Sequence, residues 1–173
     1  MIVWKLAGTD RRSTGRADEV AAEIAGDQAL FDEVFEALFL DDPVIRMRAA
    51  DALEKASRIR PERLYPYKER ILGEVAAIDQ QEVCWHVAQM LPRLPLDPAE
   101  KRRAAAVAEG YLTHKSAIVR TNALEALVEL ARGDDELEQK AIGRLAGALE
   151  SGTAAEKARA RKIMRALEKR RSG

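Results

Sequence analysis

One helical segment recurs along this chain and limits what it can become. Asp42-Pro43-Val44-Ile45-Arg46-Met47-Arg48-Ala49-Ala50-Asp51-Ala52-Leu53 returns in altered form around Val83–Leu91 and around Val119–Leu127, and more weakly around Glu156–Met164. Aligning Ile45, Val83, Val119 and Glu156 gives steps of 38, 36 and 37 residues. A period of that length built from two helices is the mark of stacked hairpins, each too amphipathic to bury its apolar face alone. Such a stack presents surface for binding more readily than it builds a reaction chamber.

Composition agrees. The 173 residues include 31 alanines, aromatics are 5% and charged residues 34%, which favours helix throughout. No alternating Val/Ile/Thr run and no Asn-Gly or Asp-Gly hairpin signal is present. The expected class is all-α.

The punctuation follows the repeat. Residues 1–16 are turn-rich and polar towards their end and form an expected N-terminal leader, with residues 17–173 as the repeat domain. A short cap helix is expected near Ala17–Ala25. Asp27 caps the first pair and Asp42 caps its partner helix, with Pro43 in the favoured first-turn position. The second pair begins at Pro61, breaks before Pro66, and its later helix spans about Gln80–Leu91. The third opens at Asp97-Pro98-Ala99-Glu100, a capping box, and its partner helix runs from near Ser116 to before Gly133. The fourth opens at Asp134-Asp135, and Thr153-Ala154-Ala155-Glu156 caps its second helix. Gly143 and Gly147, four apart on one helix, are expected to permit close helix packing.

These later helices, with Val44-Ile45-Arg46 and Ile118-Val119-Arg120 near their starts and Ala-Leu further on (Ala52-Leu53, Ala126-Leu127), resemble the HEAT repeat over about residues 27–167. The resemblance implies a single right-handed α-α superhelix of about four pairs with an N-terminal cap helix, of the armadillo-like helical kind. It implies a non-enzymatic protein-binding scaffold, although relatives of this architecture also include bilin lyases and DNA glycosylases. Cys84 departs from the pattern, standing where Arg46 and Arg120 stand.

Rotation at 100° per residue assigns faces. The buried rows expected are Ile45, Ala49, Ala52, Leu53, Ala56; Val83, Val87, Met90, Leu91, Leu94; Val119, Ala123, Ala126, Leu127, Leu130; and Glu156, Ala160, Ile163, Met164, Leu167. The opposite rows should project from a concave wall: Met47, Trp85, Thr121, Ala158; Arg48, His86, Asn122, Arg159; Asp51, Gln89, Glu125, Lys162; Glu54, Pro92, Val128, Arg165. Trp85 and His86, flanked by Arg48, Asp51, Gln89, Asn122 and Glu125, form the candidate site for a protein or peptide. An indole offers contact area and polar neighbours fix orientation. The alternative, Trp85 as a half-buried core residue, stays open.

Other chemistry finds less support. His86 beside Asp51 resembles a general base and its orienting acid, but no nucleophile accompanies them. Two histidines without ligand spacing, and one cysteine, offer no metal motif and no intramolecular disulfide, so no metal or cofactor is expected. Arg46 and Arg120 read either as anion binders or as a structural ladder bonding turn groups of their own or the next repeat, and the ladder is the stronger reading.

Equal numbers of acids and bases, 29 each, exclude a global pull towards nucleic acid. Residues 17–54 nevertheless carry eleven acids against two bases, a net of −9. Residues 154–173 carry eight bases against two acids, a net of +6. Lys157, Arg159, Arg161, Lys162 and Arg165 form a basic patch that makes nucleic-acid binding the first alternative, and a lyase-like enzyme acting on a carried group the second. With no signal peptide or membrane span evident, a cytoplasmic monomer is expected.

Overall fold

The structure is a computed structural model and describes residues 1–10 and 12–171. Arg11, Ser172 and Gly173, which the expected boundaries include, lie outside the described residues. The fold is all-helical, 79% helix, with no strand among the described residues. Its contacts group into two compact units, Met1–Pro95 and Leu96–Gly173.

The first unit begins with a 3-10 turn, Val3–Leu6, followed by α1 (Ala17–Gly26), α2 (Gln28–Glu36) and α3 (Pro43–Ile59). Asp27 accepts from the amides of Ala29 and Leu30, and Asp42 from those of Val44 and Ile45. Both caps therefore act as their sequence positions require. Pro61 and Pro66 withhold two donors, and Pro61–Tyr67 is wound as 3-10 helix before the single turn α4 (Lys68–Arg70). The chain then widens into a π turn at Ile71–Val75, with the Ala76 amide donating to Ile71 O. The helix α5 (Gln81–Met90) ends in a 3-10 turn before Pro95.

At the centre of this unit lies α3, against α1, α2, α5 and the 3-10 segments. Phe31, Phe35, Leu38, Leu53, Leu64 and Met90 are fully buried around it. Tyr67 stacks on Phe35 with centroids 3.8 Å apart, and Arg70 lies over both Phe35 and Phe39.

The second unit contains α6 (Pro98–Tyr111), α7 (Ala117–Ala131), α8 (Asp135–Ser151) and α9 (Ala154–Arg171). Asp97 and Glu100 form the reciprocal capping box at the start of α6. Thr153 and Glu156 do the same for α9, with Thr153 N donating to Glu156 Oε2 at 2.9 Å and Glu156 N to Thr153 Oγ1 at 3.3 Å. After α7 the chain turns at Gly133, whose φ of 75° is the left-handed conformation glycine permits. Here α7 is central, packed on α6, α8 and α9.

The expected inner rows are buried with few exceptions. Ile45, Met164 and Leu167 are half-buried, and Glu156 is buried although charged. Arg120 explains Glu156: its Nε and Nη2 reach Glu156 Oε1 and Oε2 at 2.8 and 3.1 Å. The same guanidinium donates through Nη1 to His114 O and Lys115 O. Arg46 repeats the arrangement in the first unit, donating to Leu40 O in its own turn and to Gln80 Oε1. The ladder reading of these arginines is therefore the observed one. Gly143 and Gly147 correct another expectation. A Cβ on either would meet nothing within 4 Å, because their face of α8 looks into open space.

Bonding to Arg120 holds the Glu156 carboxyl at about 2, against an ordinary 4.5. A depressed carboxyl stabilises the fold above its unfolded pKa and loses that contribution as pH falls towards the folded value. Stability of the second unit should thus decline between about pH 4.5 and 2. Glu156→Gln should be less stable at pH 7 and show a flatter decline over that interval, measured as urea midpoints.

Candidate functional site

A helix buried on most sides must satisfy every polar group it carries. Along α3 these are Arg48, Asp51, Glu54 and Ser57, all buried. Arg48 turns towards the segment before α1 and donates to four main-chain carbonyls there, those of Leu6, Ala7, Asp10 and Ser13. Asp51 Oδ2 accepts from Lys55 Nζ at 2.7 Å, and the same ammonium reaches Asp18 on α1 at 2.5 Å. Glu54 has no exposed surface. Arg93 Nη2 donates to its Oε1 at 2.6 Å and Arg58 Nε to the same oxygen at 2.8 Å. Arg58 Nη2 also lies 2.7 Å from Oε2, off the hydrogen-bond line. Burial pushes the Glu54 carboxyl up, but the two guanidinium groups outweigh it and hold it below its ordinary value.

From α5, His86 approaches this row. Its Nδ1 shares a hydrogen bond with Gln89 Oε1 at 3.1 Å, and its Nε2 lies 3.7 Å from Asp51 Oδ1. The second distance is an electrostatic contact, longer than a hydrogen bond. Burial lowers the His86 pKa, and Asp51 opposes this without reversing it. The imidazole is thus held neutral near pH 7. Trp85 packs at its side, ring centroids 5.5 Å apart and planes tilted by 59°, and remains half-buried.

Several candidate residues therefore differ from expectation. Arg48, Asp51, Glu54, His86, Thr121 and Asn122 were assigned to an outward wall and are buried, each under 9% exposed. In the first unit the segment before α1, α1 and α5 cover the polar side of α3. Helical rotation locates a face but carries no information about what covers it. Trp85 and Gln89 keep part of their surface. Of these residues the first unit brings together Asp51, His86, Gln89 and Trp85, while Arg48 serves the segment before α1.

In the second unit Asn122 donates through Nδ2 to Ile118 O, and Thr121 Oγ1 to the same oxygen. Glu125 is exposed and paired with Arg159. That pairing removes Arg159 from the basic patch, and Lys157 is half-buried. Arg161, Lys162 and Arg165 stay exposed on α9, joined by Lys169, which the sequence patch left out. They fall within an arc of about 100° together with Ala158. An apolar groove of about 300 Å³ also opens in this unit, lined by Val128, Ala131, Ala141, Ile142 and Leu167, with Arg132, Glu138 and Arg170 among the residues around it. Its only sequence signal was an apolar Val128 at an outward position.

The comparisons with known proteins bear on the fold alone. No protein-family model and no curated protein matches the chain. A solved crystal structure described as an engineered protein is similar to it, with a TM-score of 0.59 and 18% sequence identity, covering 97% of this chain and 78% of that one. Among the described residues no helix is long and apolar enough to cross a membrane.

His86 supplies a pH test of the α3–α5 contact. A histidine kept neutral by burial stabilises nothing as it protonates; the unfolded chain takes up the proton first, so stability falls as pH drops below about 6.5. Wild type should lose stability from pH 7 to pH 5. His86→Gln should lose less over the same range, read as thermal midpoints at each pH.

Proposed function

We propose that this chain is a HEAT-like repeat scaffold, a right-handed α-α superhelix of about four pairs, that holds a protein or peptide and performs no catalysis of its own. The observation that carries this is the repetition of one arginine device. Arg46 and Arg120 each bond the carbonyl groups of their own turn and a side chain 34 or 36 residues further on. The two arginines stand two periods apart, with Cys84 at the position between them, and equivalent groups doing equivalent work at a multiple of the period are what a repeat array requires.

Trp85 and Gln89 are the recognition point in this reading. The indole is half-buried, so its edge is held in place while part of its surface stays open. A fixed aromatic with a polar neighbour loses little side-chain freedom on binding. Asp51 and His86 support this point from beneath, Arg48 serves the segment before α1 instead, and Asn122 and Glu125 have no part in it. A monomer in the cytoplasm remains the expected setting.

A second reading has its own support. Arg161, Lys162, Arg165 and Lys169 are exposed and carry no ion pair among the described residues. Four unneutralised cations on one helix face suit a phosphate backbone.

Affinity capture separates the two. Trp85→Ala should recover at least about tenfold less of a protein partner than wild type, as loss of an aromatic hot spot does. Unchanged recovery would remove Trp85 from the site. Tight binding of duplex DNA with a steep loss on added salt, abolished by Arg161→Ala/Arg165→Ala, would favour the second reading instead.

A further inference from the structure

We propose that the segment 1–16 is an exchangeable arm, and that the side of α3 beneath it is a peptide-binding surface which the same segment of a second copy of this chain can occupy. This goes beyond the scaffold reading and does not depend on Trp85.

Arg48 is the first ground. It is 5% exposed and has no ion pair among the described residues. A buried guanidinium ordinarily meets a carboxylate. Here four carbonyl oxygens of one segment replace it, at 3.0 Å for Leu6, 2.7 Å for Ala7, and 3.1 Å for both Asp10 and Ser13. With the segment lifted away water would take the place of these carbonyls, so covering the face is favourable only for a segment that presents main-chain acceptors in this arrangement.

The fit around the guanidinium is the second ground. A Cβ at Gly8 would stand 2.6 Å from Arg48 Nη1, and one at Gly15 would stand 2.8 Å from its Cζ. Gly8 also has a φ of 154°, which L side chains rarely adopt. A side chain at either place would have to push the guanidinium away from its carbonyls, so glycine at these two places, as in this chain's own sequence, suits the bonded arrangement.

The remaining anchors are those of a bound peptide. Ile2 and Leu6 are buried, the Val3 amide donates to Glu33 Oε1 at 3.2 Å, and Lys5 Nζ reaches Glu19 and Glu23 at 2.8 and 2.5 Å. Apart from one 3-10 turn and short local bonds, the segment is held by α1, α2 and α3, while Met1 and Trp4 stay exposed. Segments of this kind open at a lower free-energy cost than core helices. Exchange between copies makes identical contacts in trans, the usual condition for a swapped dimer.

The full chain carrying Gly8→Val tests this directly. The substitution prevents the chain's own segment from seating and leaves Arg48 intact. The probe is a fluorescein-labelled peptide with the sequence of residues 1–16. It should bind Gly8→Val saturably and at least about tenfold more tightly than wild type, whose tethered segment competes at high effective concentration. Adding Arg48→Ala to the Gly8→Val chain should abolish binding, with helix content by circular dichroism confirming that both proteins are folded. Gly15→Val opens the arm from its other end and serves if Gly8→Val does not fold. Donor- and acceptor-labelled wild-type chains mixed at millimolar concentration should also exchange arms and develop energy transfer. A folded, opened variant that ignores the peptide, binding that persists without Arg48, or no energy transfer at that concentration where neither variant folds, would overturn the proposal. None of these results bears on partner capture through Trp85.

Discussion

Inside the first unit, α3 is buried on nearly every side while carrying an arginine, an aspartate and a glutamate. That is tolerable only because each charge has a built partner, since an uncompensated buried charge costs several kcal/mol. The partners come from separate places: carbonyls before α1 for Arg48, Lys55 on α3 itself for Asp51, and Arg58 and Arg93 for Glu54. The polar side of α3 therefore dictates where α1, α5 and the segment before α1 can lie. Apolar burial alone would let those elements slide. The ionic and carbonyl contacts fix their register.

The second unit solves a related problem with fewer buried charges. Alanines of α6 and α7 are buried between the helices, and among the described residues Glu156 is the buried acid there. It closes three demands at once: it accepts from Arg120, from Thr153 Oγ1 and from the Thr153 amide. One carboxylate thus joins the start of α9 to the start of α7. On α9 the side carrying Arg161, Lys162, Arg165 and Lys169 has no ion pair among the described residues, which gives this unit its basic face.

Much of this could be read from residue order. Asp27, Asp42, Asp97 and Thr153 announced their helices because a cap needs its side chain at one position only, and local geometry does the rest. The apolar rows followed from rotation, and Arg46 and Arg120 from their place beside a turn. What stayed hidden was non-local. Arg48 looked like an outward residue because its acceptors are backbone carbonyls, which every residue owns and no residue type advertises. Gly8 and Gly15 lie in the turn-rich stretch before α1, but nothing in residue order announces their contact with a guanidinium more than 30 residues away. His86 and Asp51 were recognised as a pair, yet their burial depended on what α5 and α1 cover. Gly143 and Gly147 misled in the other direction, since small residues on a helix suggest a neighbour that is not there.

The polar side of α3 faces inward and is satisfied there. Arginine side-chain exchange measured by nuclear magnetic resonance addresses it at a single atom. The Arg48 Nε–H, bonded to Ser13 O at 3.1 Å, should exchange with solvent far more slowly than that of exposed Arg161. An Arg48 Nε–H exchanging as fast as Arg161 would mean that this face is open to water, contradicting the account.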